Sequence, residues 1–157
     1  MPLIAVARRS AGLLLYRRCG GQLEVLLVHP GGPLWARKDE GAWSIPKGEP
    51  AEGEDGLSAA KREFEEETGA TAPAGPFVTL DAVRQAGGKI VDAWAAEGEF
   101  DPSGLNSNMF EMEWPPGSGR RQQFPEVDRA EWFTIDEARR KILRGQAPFL
   151  DRLAARG

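Results

Sequence analysis

The stretch of 23 residues from position 48 to 70 constrains the fold of this chain most strongly, because it carries eight carboxylates and still predicts a helix. Apolar residues recur at helical spacing between Gly56 and Thr68, and Gly69 is the residue type that commonly ends a helix. The predicted apolar stripe consists of Leu57, Ala60 and Phe64. The sequence therefore predicts an amphipathic helix over Gly56–Thr68 with a strongly acidic outer face.

Segments with β-strand character surround this helix. Two apolar runs, 11–16 and 23–29, are separated by a polar turn with two glycines, which predicts an antiparallel hairpin. Further strands are predicted at residues 77–83, 90–100, 109–114 and 131–133. Near the C-terminus, a second helix is predicted from its cap at Thr134 to about Arg144. The order strands, helix, strands, helix predicts an α+β fold in a single domain over residues 1–157.

The composition limits the classes of function. The net charge of -4 argues against a large nucleic-acid surface, because such a surface needs clustered Lys and Arg. Cys19 and His29 are the only cysteine and histidine, which excludes an internal disulfide and a zinc site rich in these ligands. The early apolar run at 3–7 is too short for a signal peptide or a membrane span. The sequence thus predicts a cytoplasmic protein without membrane contact, in which His29 is structural.

Three acidic side chains are predicted to share one face of the helix. At about 100° of rotation per residue, Glu63, Glu66 and Glu67 fall within an arc of about 100°, while Glu65 points away. Like charges four residues apart repel each other, and carboxylates in the last turn oppose the helix dipole by about 0.3–1 kcal/mol each. The negative charge of this face therefore needs a nearby positive charge to offset it.

Two sources of positive charge are compatible with the sequence. The basic residues at positions 61 and 62 can each pair with a glutamate four residues later, as on an ordinary solvated helix. That arrangement leaves Glu63 and Glu67 facing each other without a cation. A hard divalent cation would supply the missing charge, and oxygen ligands alone favour Mg²⁺ or Mn²⁺ over Zn²⁺. Metal-assisted hydrolysis of a phosphoanhydride is the chemistry that best suits such a site.

The same stretch resembles the Nudix box, the sequence motif of a family of hydrolases. The motif has Gly, five residues, Glu, seven residues, Arg-Glu, an aliphatic residue, any residue, Glu-Glu, any residue, Gly and an aliphatic residue. The matching positions are Gly48, Glu54, Arg62, Glu63, Phe64, Glu66, Glu67, Gly69 and Ala70. Phe64 and Ala70 depart from the usual Ile, Leu or Val but are apolar. The resemblance implies a Nudix-type α/β/α sandwich with a central mixed sheet.

The resemblance also implies roles for single residues. The metal would be bound by three carboxylates and one backbone carbonyl, at Glu63, Glu66, Glu67 and Gly48. Arg62 and Glu54 would orient the helix and the loop before it. In this family the general base lies within the box or in a later loop. The main candidates for it here are Glu63 and Glu126, followed by Glu111 and Glu113.

The substrate is less constrained than the chemistry. Family substrates share a nucleoside diphosphate linked to another group, and the box does not choose among them. The segment WSIPKGEP is similar to that of members that cleave dinucleoside polyphosphates, in which Lys47 would contact phosphate. Trp43, Phe110 and Trp132 are candidates for stacking a base, with the core as the alternative place for each. Oxidised nucleoside triphosphates, nucleotide sugars, RNA 5′ ends and a purely nucleotide-sensing domain stay open.

Overall fold

The structure is a computed structural model that describes residues 8–156, so the apolar run at 3–7 lies outside the described residues. Within that range the strands are Arg9–Cys19 (β1), Gln22–Pro30 (β2), Lys47–Gly48 (β3), Val78–Arg84 (β4), Ile90–Glu97 (β5), Met109–Glu113 (β6), Arg121–Pro125 (β7) and Val127–Thr134 (β8). The α-helices are Gly56–Thr68 (α1), Ile135–Lys141 (α2) and Ala147–Ala155 (α3). None of the described helices is long and apolar enough to cross a membrane.

A mixed sheet forms the middle of the fold. Its strand order is β4-β5-β1-β2-β8, and the short β3 pairs with the beginning of β1. β1 is parallel to β5 and antiparallel to β2, which confirms the predicted hairpin. β6 and β7 form a separate two-stranded sheet, the β6–β7 hairpin, outside this sheet.

Side-chain alternation along β1 divides the core into two layers. Leu13 and Leu15 pack with α1, whereas Leu14 between them packs with α2 and α3 on the other face. Helices therefore cover both faces of a mixed sheet, and the predicted α/β/α sandwich is confirmed.

The predicted bounds of α1 agree with the structure. The side chain of Asp55 caps its first turn by accepting the N–H of Ser58 at 3.1 Å. Gly69 ends the helix in the left-handed conformation, with φ of 80°, and donates to the carbonyl of Glu65 at 2.8 Å. The predicted apolar stripe is partly wrong, because Leu57 is only partly buried. The buried residues of α1 are Ala59, Ala60, Phe64 and Thr68.

Several other elements differ from the predictions, most of all β7, β8 and α2. β7 was missed because RQQFP has no apolar alternation and becomes a strand by pairing with β6. β8 starts at Val127 rather than near residue 131, since it pairs along most of β2. α2 ends at Lys141, short of the predicted Arg144, because the next residue, Ile142, is extended and bridges to Trp43. Tertiary pairing decides each of these boundaries.

His29 is completely buried, as its predicted structural role requires. Its Nδ1 lies 2.7 Å from Asp128 Oδ1, and its Nε2 lies 2.6 Å from the carbonyl oxygen of Lys38. The imidazole ring thereby connects the end of β2 to β8 and to the loop that follows β2.

Candidate active site

Arg62 joins α1 to the loop that precedes it. Its Nε and Nη2 each donate to the Glu54 carboxylate at 2.9 Å, and that carboxylate also accepts the N–H of Ala51 at 2.9 Å. Nη2 further reaches the carbonyl oxygen of Glu49 at 3.2 Å. A planar guanidinium can form such a two-pronged contact, which a lysine ammonium cannot. One side chain thus fixes the loop between β3 and α1.

The same guanidinium contacts two carboxylates of the acidic face. Arg62 Nη1 lies 2.9 Å from Glu63 Oε1 and 3.1 Å from Glu66 Oε2. The contact with Glu66 is the one predicted from helical spacing, whereas the contact with Glu63 supplies a cation that the spacing argument missed. The Lys61 ammonium instead lies 5.3 Å from the ring centroid of Phe77. Arg62 therefore offsets part of the charge on this face.

Glu63 packs directly against β3 at Gly48. A Cβ atom on Gly48 would lie 2.1 Å from Glu63 Cδ and 2.3 and 2.4 Å from the two carboxylate oxygens. Gly48 itself is paired with Ala11 of β1, so the strand is held in the sheet. The carboxylate can approach the main chain this closely only because residue 48 has no side chain.

We expect Gly48→Ala to displace the Glu63 carboxylate, because the new methyl group overlaps it and the far end of this flexible side chain can rotate away. The free energy of unfolding, measured by urea denaturation, should change by less than about 1 kcal/mol, whereas the rise in melting temperature on addition of Mg²⁺ should be smaller than in the wild type. Gly104→Ala is the matched control, since a Cβ there meets no atom within 4 Å and the backbone does not require glycine. An unchanged response to Mg²⁺ in Gly48→Ala would contradict the proposed close approach.

Glu67 and Glu126 lie near the carboxylates already described. Burial raises the pKa of Glu67 to about 8, and repulsion from Glu63 and Glu126 adds to the shift, while Lys47 opposes it. Burial, followed by repulsion from Glu63 and Glu66, raises the pKa of Glu126. Burial is also the main cause of a raised pKa at Glu63. Four carboxylates from two distant parts of the sequence therefore converge.

Backbone hydrogen bonds place Glu126 opposite α1. The N–H of Asn108 donates to the carbonyl of Glu66 at 2.9 Å, so the loop before β6 is attached to the last turn of the helix. Glu126 in turn donates to the carbonyl of Asn108 at 2.8 Å, and its own carbonyl accepts the N–H of Gly31 at 2.9 Å. The position of Glu126 is consequently set by main-chain contacts to the helix and to the loop after β2.

The raised pKa of Glu67 predicts how the stability of the metal-free protein depends on pH. Its folded-state pKa of about 8 exceeds the ordinary 4.5, so the folded state binds this proton more tightly than the unfolded state. Stability is therefore lost progressively as pH rises from about 5 to 8. Denaturation in EDTA should show this loss, and Mg²⁺ should raise the melting temperature most near pH 8. Glu67→Gln should flatten the profile; an equally steep profile in that variant would refute the assignment.

A cavity of about 370 Å³, here called the inner cavity, opens beside the carboxylates. The polar residues in its wall are Ser44, Lys47, Glu67, Gln85, Lys89 and Glu126. Burial lowers the pKa of Lys47, with Glu67 opposing the shift and Lys89 adding to it. The size is within the range of small-molecule sites, about 300–1,000 Å³. The structure thus brings Lys47 and two of the carboxylates to one opening.

Two tryptophans near this cavity have different environments. Trp43 is only 1% exposed, and its ring makes edge contacts with His29 and Phe133 at centroid distances of 5.1 Å. Its Nε1 donates to Asp39 at 2.8 Å. This corrects the prediction that Trp43 contacts substrate, since its ring belongs to the core. Trp35, which sequence reasoning missed, lines the inner cavity from the loop after β2.

Three further candidates lie away from the inner cavity. Glu111 pairs with Arg121 across the β6–β7 hairpin, and Glu113 accepts the N–H of Gly119 at 2.8 Å. Trp132 donates its indole N–H to a backbone carbonyl at 2.9 Å. These contacts give each side chain a structural partner, and the structure does not bring them to the acidic cluster.

The donor set of the cluster fits a hard divalent cation. Such ions take carboxylate and carbonyl oxygens, which Glu63, Glu66, Glu67 and Gly48 can offer. Burial is the main cause of the raised pKa of Glu67, and the repulsion from Glu63 and Glu126 that adds to it is charge that a cation would relieve. Among residues 8–156, no three carboxylate, histidine or cysteine side chains are already arranged to hold one ion. Ligation therefore requires side chains to move, and the Arg62 contacts permit this because they occupy only one oxygen of Glu63 and one of Glu66.

Several solved structures of Nudix proteins have the same fold as this chain. A binary complex of the Ap4A hydrolase of C. elegans is 25% identical, with a TM-score of 0.61 and coverage of 93% of this chain and 96% of that one. The NUDIX domain of Shewanella oneidensis NrtR complexed with ADP ribose is 18% identical, with a TM-score of 0.66 and coverage of 98% and 90%. A mutT/nudix family protein from Listeria innocua is 21% identical, with a TM-score of 0.61 and coverage of 95% and 92%. These likenesses establish the fold class.

The sequence match extends over nearly the same region. The family model for the NUDIX domain matches residues 6–153. A comparison with curated protein sequences gives no significant match. The chain belongs to the Nudix family. It is a hydrolase acting on pyrophosphate bonds, and Nudix hydrolases generally use divalent metal ions.

Proposed function

We propose that this protein is a Mg²⁺-dependent pyrophosphohydrolase whose substrates are small nucleotides, in particular dinucleoside polyphosphates. The observation that carries the proposal is the position of Lys47 beside Glu67 and Glu126 in the wall of one cavity. The likeness to an Ap4A hydrolase over nearly the full length of both chains supports the substrate class. A single Nudix domain over residues 1–157 and a cytoplasmic location are parts of the same proposal.

Mg²⁺, or Mn²⁺ in its place, would be held by carboxylates of α1 and by one carbonyl oxygen of β3. The ligands are Glu63, Glu66, Glu67 and the carbonyl of Gly48. When bound, the ion neutralises phosphate charge and lowers the pKa of bound water. Without a cation the acidic cluster would repel a polyphosphate.

The remaining residues position the substrate and move a proton. Lys47 contacts a phosphate oxygen from the wall of the inner cavity, where partial burial strengthens the attraction. Arg62 keeps the Glu63 carboxylate and the loop at Glu54 in place. Glu126 accepts a proton from the attacking water, and its raised pKa makes it a stronger base than an ordinary glutamate. Glu63 is the second candidate for this role.

Replacing Glu126 by Gln should lower kcat by about 10²–10⁴-fold, the usual contribution of a general base. Mg²⁺ binding, measured by calorimetry, should be retained because Glu126 is not among the proposed ligands. Glu111→Gln is the matched control, since Glu111 lies on the exposed side of the β6–β7 hairpin, and it should keep full turnover. Unchanged turnover of Glu126→Gln would assign the base to Glu63.

A hydrolysis screen with Mg²⁺ tests the substrate class. Diadenosine polyphosphates, nucleoside triphosphates including 8-oxo-dGTP, ADP-ribose and triphosphorylated RNA should be compared by kcat/KM, with products identified by mass. A preference for the dinucleotides supports the proposal, and a preference for another substrate retains the chemistry but replaces the substrate. Tight nucleotide binding without turnover would indicate a nucleotide sensor instead.

A further inference from the structure

A second cavity lies next to the inner cavity and has a different character. This outer cavity measures about 350 Å³ and is lined by Leu34 and Trp35 of the loop after β2, by Phe110 and Met112 of β6, and by Glu126. Leu34 is 62% exposed, and together with Met109 it is one of two large hydrophobic side chains exposed within residues 8–156. An exposed apolar surface at a concave site is a feature of ligand binding rather than of folding.

Two glycines give this cavity its shape. A Cβ atom on Gly32 would lie 2.8 Å from Phe110 Cζ, and the backbone there has φ of 91°, which other residues rarely adopt. A Cβ atom on Gly31 would lie 2.0 Å from the carbonyl oxygen of Pro125. The main chain of the loop therefore packs directly on the β6–β7 hairpin, and the walls of the outer cavity are fixed relative to each other.

The inner and outer cavities share part of their lining. Trp35 and Glu126 belong to both, together with Pro30. The Trp35 ring also contacts the Lys38 ammonium, which lies 5.1 Å from its centroid. A molecule whose phosphates lie near Glu67 and Lys47 can consequently extend past Trp35 into the outer cavity without leaving the protein surface.

We propose that the outer cavity binds the nucleobase at the far end of a substrate that carries a nucleoside on both ends of its phosphate chain. The proposal rests on the proposed function and specifies which side chains select the substrate. Trp35 and Phe110 both line this cavity, and aromatic side chains are the type on which a nucleobase stacks. The Glu126 carboxylate at the boundary disfavours a terminal phosphate there, so a chain that ends in phosphate gains nothing from this cavity.

The test compares diadenosine tetraphosphate with adenosine tetraphosphate, which has the same number of phosphates but lacks one nucleoside. The wild-type enzyme should show a KM about tenfold or more lower for the dinucleotide, because one stacked base contributes roughly 1–3 kcal/mol. Phe110→Ala should raise the KM for the dinucleotide by a factor at least about five times larger than the factor for adenosine tetraphosphate. Phe110→Tyr, which keeps an aromatic ring, should restore most of the difference.

Two variants separate this effect from damage to the fold. Leu34→Ala changes an exposed residue in the wall of the outer cavity. It should raise the KM ratio, defined as the KM for diadenosine tetraphosphate divided by the KM for adenosine tetraphosphate, without lowering the melting temperature. Met109→Ala is the matched control, because Met109 is exposed on the same hairpin but does not line the outer cavity. A KM ratio that none of the wall variants changes would overturn the proposal.

The failure of this inference can be told apart from failure of the proposed function. Hydrolysis of both tetraphosphates with equal KM would reject the outer cavity as a base site and retain the pyrophosphohydrolase. If neither nucleotide is hydrolysed, the proposed function is wrong. Kd values for the two tetraphosphates, measured by calorimetry on the same variants, would then still decide whether the outer cavity binds a base.

Discussion

Replacing Glu67 by Gln should lower kcat/KM for the preferred nucleotide by about a hundredfold or more, because one of the charges proposed to hold the cation is lost. The stability of the metal-free protein should not fall, and near pH 8 it should rise. Burial and the neighbouring carboxylates raise the pKa of Glu67 to about 8, so a neutral amide of the same shape relieves unfavourable charge. Steady-state kinetics and thermal denaturation in EDTA measure the two effects.

Glu65→Gln is the matched control for this experiment. Glu65 lies on the same helix but away from the cluster, and its carboxylate accepts the N–H of Ala72 at 2.8 Å. Its activity should stay within about twofold of the wild type, because surface substitutions away from a site have small effects. Near-normal turnover of Glu67→Gln would remove this residue from the metal site.

Arg62→Lys should lower kcat/KM about tenfold to a hundredfold, the usual effect of removing a residue that orients metal ligands. Lysine keeps the positive charge but cannot hold Glu54 with two hydrogen bonds and contact Glu63 and Glu66 as well. We expect a loss of stability of about 1–2 kcal/mol, reduced from the value for a buried network because Arg62 is partly exposed. Kinetics and urea denaturation test both effects.

Arg9→Lys provides the same chemical change at a distant place. Arg9 also forms a two-pronged contact, with Asp92 at 3.1 and 3.0 Å, on the exposed surface of the sheet. This variant should keep its stability and its activity, because an exposed ion pair contributes little to the free energy of folding. If both lysine variants behaved alike, the contact network of Arg62 would have no part in positioning the site.

Features with strong local signals could be predicted from the sequence. The bounds of α1 follow from an apolar stripe, which the structure corrects at Leu57, and from a terminal glycine, both within one short segment. The β1–β2 hairpin follows from two apolar runs and a glycine turn. The acidic face of α1 follows from helical spacing in the same segment. The resemblance to the Nudix box implied that Arg62 and Glu54 orient this helix and its loop, and in the structure the two side chains are hydrogen-bonded to each other.

Features that depend on tertiary packing could not be predicted in this way. Whether a tryptophan belongs to the core or to a cavity is decided by distant residues, so Trp43 and Trp35 could not be told apart by local pattern. A tryptophan within a loop rich in glycine and proline was the available signal for Trp35. The strand β7 likewise has no local pattern and depends on its partner. The roles assigned to Lys47 and Glu126 stay predictions.

The hydrogen bond between Glu126 and Asn108 closes the β6–β7 hairpin at its base, since these two residues flank the segment 109–125. The segment therefore leaves and rejoins the fold at a single fixed point, and its length can change at little entropic cost. The segment can therefore be replaced or lengthened as one unit. Substrate range could diversify by grafting or lengthening this segment while the helix that carries the acidic residues stays untouched.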